Sequence, residues 1–167
     1  TMGGGDHTGR LTNGVMQVGG NFTQTSAGSP LSFAASGSHQ VSLVGPTSTI
    51  NFQSPGTTAS RFQNLTITGG VSASLATRTV VAGNVSLSGA LTLGGRTLEV
   101  GGNLSLSNPG TVSMTNALDS VLVAGNATMN GGASTGLLTA GVLRVGGSFA
   151  QTGGNNAAFD ASGTHRT

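Results

Sequence analysis

The sequence predicts an all-β fold, a parallel β-solenoid (β-helix) in which short strands wind into stacked coils. Three observations predict it. A short motif recurs every 19–24 residues along all 167 residues. Apolar and hydroxylated residues alternate with period two on both sides of that motif, which is the signature of strands with one buried face. Nowhere does a helical period compete, and Gly 30 with abundant Ser, Thr and Asn punctuates the chain with turns.

The motif is an apolar residue, two small residues, Asn, then apolar and Ser/Thr in alternation. It stands as Val18-Gly-Gly-Asn21-Phe-Thr-Gln-Thr25, Val81-Ala-Gly-Asn84-Val-Ser-Leu-Ser88, Val100-Gly-Gly-Asn103-Leu-Ser-Leu-Ser107 and Val123-Ala-Gly-Asn126-Ala-Thr-Met-Asn130. Ser148 fills the slot before Phe149, and Gln40-Val-Ser-Leu and Asn64-Leu-Thr-Ile are degenerate copies. The slots therefore fall at 21, 40, 64, 84, 103, 126 and 148, so six coils make one larger unit. Two or three five-residue strands with short turns need about this many residues for a circuit. The alternation predicts Phe22, Leu65, Ile67, Val85, Leu87, Leu104, Leu106 and Phe149 inside and their hydroxylated neighbours outside. A second strand precedes each corner, with Met16 and Val18, Leu98 and Val100, Val121 and Val123, and Leu143 and Val145 inside. At the corner, Gly is expected to supply positive φ and Asn to tolerate the left-handed region.

The larger unit is 127 residues. Leu11-Thr-Asn-Gly-Val-Met-Gln-Val-Gly-Gly-Asn-Phe22 returns as Leu138-Thr-Ala-Gly-Val-Leu-Arg-Val-Gly-Gly-Ser-Phe149, and Ser36-Gly-Ser-His39 as Ser162-Gly-Thr-His165. Residues 1–127 form one complete unit and 128–167 the start of the next. The expectation is a piece of a longer tandem array, since self-similarity at fixed period is the mark of a repeat architecture.

Composition narrows the function classes. Only 6% of residues are charged, far below the roughly 25% of an average soluble domain. The six Arg are scattered singly and the formal charge is +2, so no basic stripe tracks a phosphate backbone and nucleic acid is not an expected partner. No apolar run reaches the roughly 20 residues of a membrane-spanning helix. Cys is absent, which removes disulfides and thiolate metal sites.

Candidate chemistry is sparse. Asp6, His7 and Asp160 are replaced by Ala133, Ser134 and Ala34 in the other copy, and Glu99 and Asp119 occupy different coil slots. No pair of carboxylates at a common position is visible, and no Gly-x-Ser-x-Gly turn accompanies a His and an Asp. The expectation is a protein that is not an enzyme, with no catalytic residue, cofactor or metal. His39, repeated as His165, is weighed as a metal ligand, but one His per unit falls short of a ligand set. A coil-edge imidazole bonded to Ser38 or the backbone is expected instead.

Two polar columns remain. Asn21, Asn64, Asn84, Asn103 and Asn126 are expected to form a structural corner ladder along the axis. Each also satisfies N-x-[ST], a pattern that a turn Asn before an alternating strand produces by itself. The outward residues Thr23, Thr25, Thr66, Thr68, Ser86, Ser88, Ser105 and Ser107 form a candidate surface contact ladder. An ice-binding role is a minor alternative, weakened because Ser replaces Thr in half the coils.

The Val-x-Val-Gly-Gly-Asn-hydrophobic-Ser/Thr coils, with low charge and no Cys, resemble bacterial extracellular β-helix repeat proteins, the class of autotransporter passengers and filamentous haemagglutinin-type adhesins. The resemblance covers the whole chain and implies a secreted or surface-displayed rod or fibre used for structure or adhesion. Its expected partners are neighbouring repeat units or copies of itself end to end, with surface glycans or other cells as further candidates. The alternative is a phage-tailspike-like or polysaccharide-lyase enzyme whose active site lies outside this segment.

Overall fold

The computed structural model describes all 167 residues and contains no helix. Its strands in chain order are β1 (Val15–Val18), β2 (Phe22–Gln24), β3 (Gln40–Leu43), β4 (Thr47–Phe52), β5 (Asn64–Ile67), β6 (Ser72–Leu75), β7 (Thr79–Val81) and β8 (Val85–Leu87). They continue as β9 (Ala90–Thr92), β10 (Thr97–Val100), β11 (Leu104–Ser107), β12 (Thr111–Ser113), β13 (Ser120–Val123), β14 (Ala127–Asn130), β15 (Val142–Val145) and β16 (Phe149–Gln151).

Every pairing is parallel and joins a strand to its counterpart one coil away, so the chain is a β-solenoid of about six turns with three faces. The first face stacks β1, β3, β5, β8, β11, β14 and β16; the second β2, β4, β6, β9 and β12; the third β7, β10, β13 and β15. Single bridges lengthen the second face through Met2, Leu138 and Ala161, and the third through Ala34, Arg61 and Phe62.

The alternation decides which side of each strand is inside. In β5, Leu65 and Ile67 are buried while Thr66 is only partly covered, and β11 alternates buried Leu with exposed Ser. Period-two patterning leaves the backbone no other register that buries the apolar set. One continuous core runs the length of the stack. Near the start it is aromatic: Phe22 lies with ring centroids 4.9 Å from Phe33, 5.1 Å from Phe52 and 4.8 Å from Phe62. Val145 is half-buried and Phe149 is 39% exposed, because a single bridge from Arg166 covers only the start of β15, at Val142, and no strand pairs with the outer edge of β16.

Two expectations about the corners are corrected. First, the corner glycines do not use positive φ. Gly83, Gly102, Gly125 and Gly147 are absent from the positive-φ set, and no non-glycine residue, hence no corner Asn, is left-handed. They are glycine because of close approach: a Cβ on each would fall on the Asn64, Asn84, Asn103 or Asn126 Oδ1 of the coil below. Gly102→Ala is therefore expected to cost about 1–3 kcal/mol through overpacking. Gly154→Ala, where a Cβ meets nothing within 4 Å, is expected to stay within about 0.5 kcal/mol. Equal denaturation midpoints for the two variants would reject the close-approach explanation.

Second, Asn21 does not share the face of the other slots. Gln40 pairs with Asn64 on the first face, and the strand below Gln40 is β1, not β2. Asn21 instead opens β2 on the second face. A corner followed by alternating residues describes the start of either strand, so the motif does not encode which face follows. The six coils of the unit accordingly resolve into five circuits and two further faces.

Candidate functional site

The corner column is a chain of backbone-to-side-chain bonds. Asn84 N donates to Asn64 Oδ1 at 3.0 Å, Asn103 N to Asn84 Oδ1 at 2.9 Å, Asn126 N to Asn103 Oδ1 at 2.8 Å and Ser148 N to Asn126 Oδ1 at 2.8 Å. Each Asn oxygen thus satisfies a corner N–H of the next coil, which has no strand partner. Asn21 makes the same kind of bond elsewhere: its Oδ1 accepts from Thr49 N at 2.9 Å on the second face. These asparagines hold register, and Asn21 stands outside the column.

The outward hydroxyls of the first face align as Thr66, Ser86, Ser105 and Thr128, in direct register. Ser86 and Ser105 are exposed. Beside them, Ser88 Oγ lies 3.1 Å from Ser107 Oγ, and Thr68 Oγ1 donates to Leu43 O at 3.0 Å. Gln40 Nε2 donates to Thr66 Oγ1 at 3.1 Å, extending the row downward. Thr23 and Thr25 are not in this row: Thr23 pairs with Asn51 on the second face, and Thr25 follows β2. A second hydroxyl row, which sequence reasoning missed, runs through Thr49, Ser74, Thr92 and Ser113 on that second face. Thr49 Oγ1 lies 3.5 Å from Ser74 Oγ. The signal was present in the alternation of Thr47–Phe52 and Ser72–Leu75, but those strands lack the Asn corner that marks the others.

The third face carries a shallow groove of about 450 Å³. Its floor is the outward row Val80, Glu99, Leu122 and Arg144, and Thr57 overhangs one side. Arg78 grips Glu99 with two bonds, Nε to Oε1 at 2.6 Å and Nη2 to Oε2 at 2.7 Å. Its Nη1 donates to Pro55 O at 3.2 Å, tying the 53–60 loop to the rim. The Glu99 hydrogen bond raises the Arg78 pKa above the ordinary guanidinium value. Glu99 is thereby committed to an ion pair, and Arg144 is the exposed cation of the groove.

The other acids are structural as well. Asp119 is buried, with Oδ1 accepting from Gly95 N at 2.5 Å and Oδ2 from Asn116 N at 2.9 Å. Asp6 lies at an exposed turn, where hydrogen bonds from Thr8 lower its pKa. No three His, Asp or Glu side chains converge as a metal site would need.

His39 departs from its expected surroundings. It is 5% exposed, edge-on to Phe33 at 5.9 Å, with Nδ1 buried and unpartnered. Its copy His165 has Nδ1 2.9 Å from Ala140 O. Desolvation lowers the His39 pKa below that of an ordinary solvated imidazole. A depressed folded-state pKa means that stability is full above the unfolded value and is lost as pH falls through the folded one. Melting temperature is expected to fall from pH 7 to pH 5, and to fall less in His39→Phe. An unchanged pH slope in that variant would show that other groups set it.

No protein-family model, curated protein or solved structure matches the chain. No helix long and apolar enough to cross a membrane is present.

Proposed function

We propose that this chain is a structural and adhesive segment of an extracellular β-solenoid rod or fibre, which makes its contacts through hydroxyl-rich faces. The observation that carries this reading is the registered row Thr66, Ser86, Ser105 and Thr128 on a sheet whose hydrogen bonds join every coil along the axis. Such a surface offers donors and acceptors at a spacing of about 4.8 Å, without charge. That suits extended polar partners such as surface glycans, and the axial bonding suits a load-bearing rod.

Beads coated with the chain are expected to be retained on glycan-coated surfaces. Ser86→Ala combined with Ser105→Ala, both at exposed positions, is expected to lower retention while leaving the melting temperature nearly unchanged. Equal retention of the variant would remove the contact role of the row. Release of reducing ends from polysaccharides by this chain would favour the enzyme alternative.

A further inference from the structure

The two copies within the chain keep one local conformation but stand on different faces. Ser36 N donates to Leu11 O at 2.8 Å and Ser162 N to Leu138 O at 2.9 Å. Ser38 N donates to Thr12 O at 2.8 Å and Thr164 N to Thr139 O at 2.9 Å. Gln40 N donates to Gly14 O at 2.9 Å and Arg166 N to Gly141 O at 3.0 Å. Gly14 and Gly141 take the same left-handed turn, with φ of 86° and 78°. Yet β1 lies on the first face and its copy β15 on the third, while β2 lies on the second face and its copy β16 on the first. From β1, five circuits reach β14 on the same face; the chain then crosses the second face at Leu138 and the third at β15.

The C-terminal end also carries half of an aromatic cluster. Phe149 and Phe159 lie 4.8 Å apart, with Phe159 6.1 Å from His165. Phe22, Phe33 and His39 have the same arrangement, and there the next coil completes the cluster with Phe52 and Phe62. The occupant that fits the exposed half-cluster is therefore the coil that follows His39 in the repeat, carried by the next unit.

We infer that successive 127-residue units stack coil on coil with a one-third turn between them, so that an array is a three-fold screw. This rests on the rod reading above. Each unit advances by about 27 Å at a strand spacing of about 4.8 Å, and the phase returns after three units, about 82 Å. The groove with its 53–60 loop, and each hydroxyl row, is then displayed on three sides in turn. A rod of this kind meets a surface or a neighbouring fibre with equivalent contacts whichever side faces it, and gains by multivalency along its length.

The test is an array of three units with Thr57→Cys in each, labelled with a maleimide gold cluster and imaged by electron microscopy. The native chain has no Cys, and Thr57 is exposed. Labels in three directions, stepping by about 27 Å, are the expected result. Labels along one side of a continuous rod would overturn the one-third turn and leave the rod reading intact. Separate beads on a flexible string would overturn both. An unlabelled readout guards against perturbation by the probe. Phe149→Ala should shift melting in the array as much as Phe22→Ala does; a shift as small as in the 167-residue chain would show that no coil covers Phe149.

Discussion

Leu104→Asp is expected to destabilise the chain by about 4 kcal/mol or more. Leu104 is 1% exposed on β11, which pairs with β8 below and β14 above. The change removes the packing of a buried Leu and places a carboxyl where no hydrogen-bond partner awaits it. Burial raises the folded-state pKa of that carboxyl. By linkage, the charge penalty is then greatest near neutral pH and fades as pH falls toward the unfolded value near 4. The gap between variant and wild type should narrow from pH 7 to pH 4. Ser105→Ala, one residue along the same strand and exposed, is expected to change stability by under about 0.5 kcal/mol. Denaturation curves of both variants check the alternation directly, and similar losses would mean that β11 does not bury the side described.

Phe22→Ala and Phe149→Ala are expected to differ strongly, although the two residues hold the same position in the repeat. Phe22 is 2% exposed and meets three phenylalanine rings, so its truncation should cost about 3–5 kcal/mol. Phe149 is 39% exposed and meets a single aromatic ring, that of Phe159, and its loss should cost about 1 kcal/mol. Chemical denaturation of the 167-residue chain measures both. Comparable losses would mean that β16 is covered in solution, by another copy or by rearrangement of the end coil.

The difference between those two residues shows where sequence reasoning stops. Local alternation makes Phe22 and Phe149 equivalent, and both were expected inside. Only the coil stacked above decides whether the inward side is sealed. The hydroxyl rows divide in the same way. That Thr23 and Thr66 point outward follows from period two, whereas their separation onto two faces follows from which strands stack.

The corner motif makes the point in reverse. Its Gly and Asn were legible as a turn, but the conventional reason, a left-handed backbone, was the wrong one. The cause lies between coils: the Asn oxygen of one coil fills the space a Cβ would need in the next and bonds its backbone N–H. That contact spans about twenty residues of sequence and has no local signature.

By itself, then, the sequence determined the strand pattern, the parallel stacking into coils of about twenty residues, the inward and outward sets, and the 127-residue repeat. These follow from local chemistry: apolar periodicity, turn residues and copy number. Tertiary structure alone decided that there are three faces, that Asn21 and Thr23 leave the column of their motif-mates, that Arg78 binds Glu99 beside a groove, and that the repeat closes one face short of six circuits. The physical reason is that a corner can be followed by any face. The choice is made where a strand finds a neighbour to satisfy its backbone hydrogen bonds and cover its apolar side.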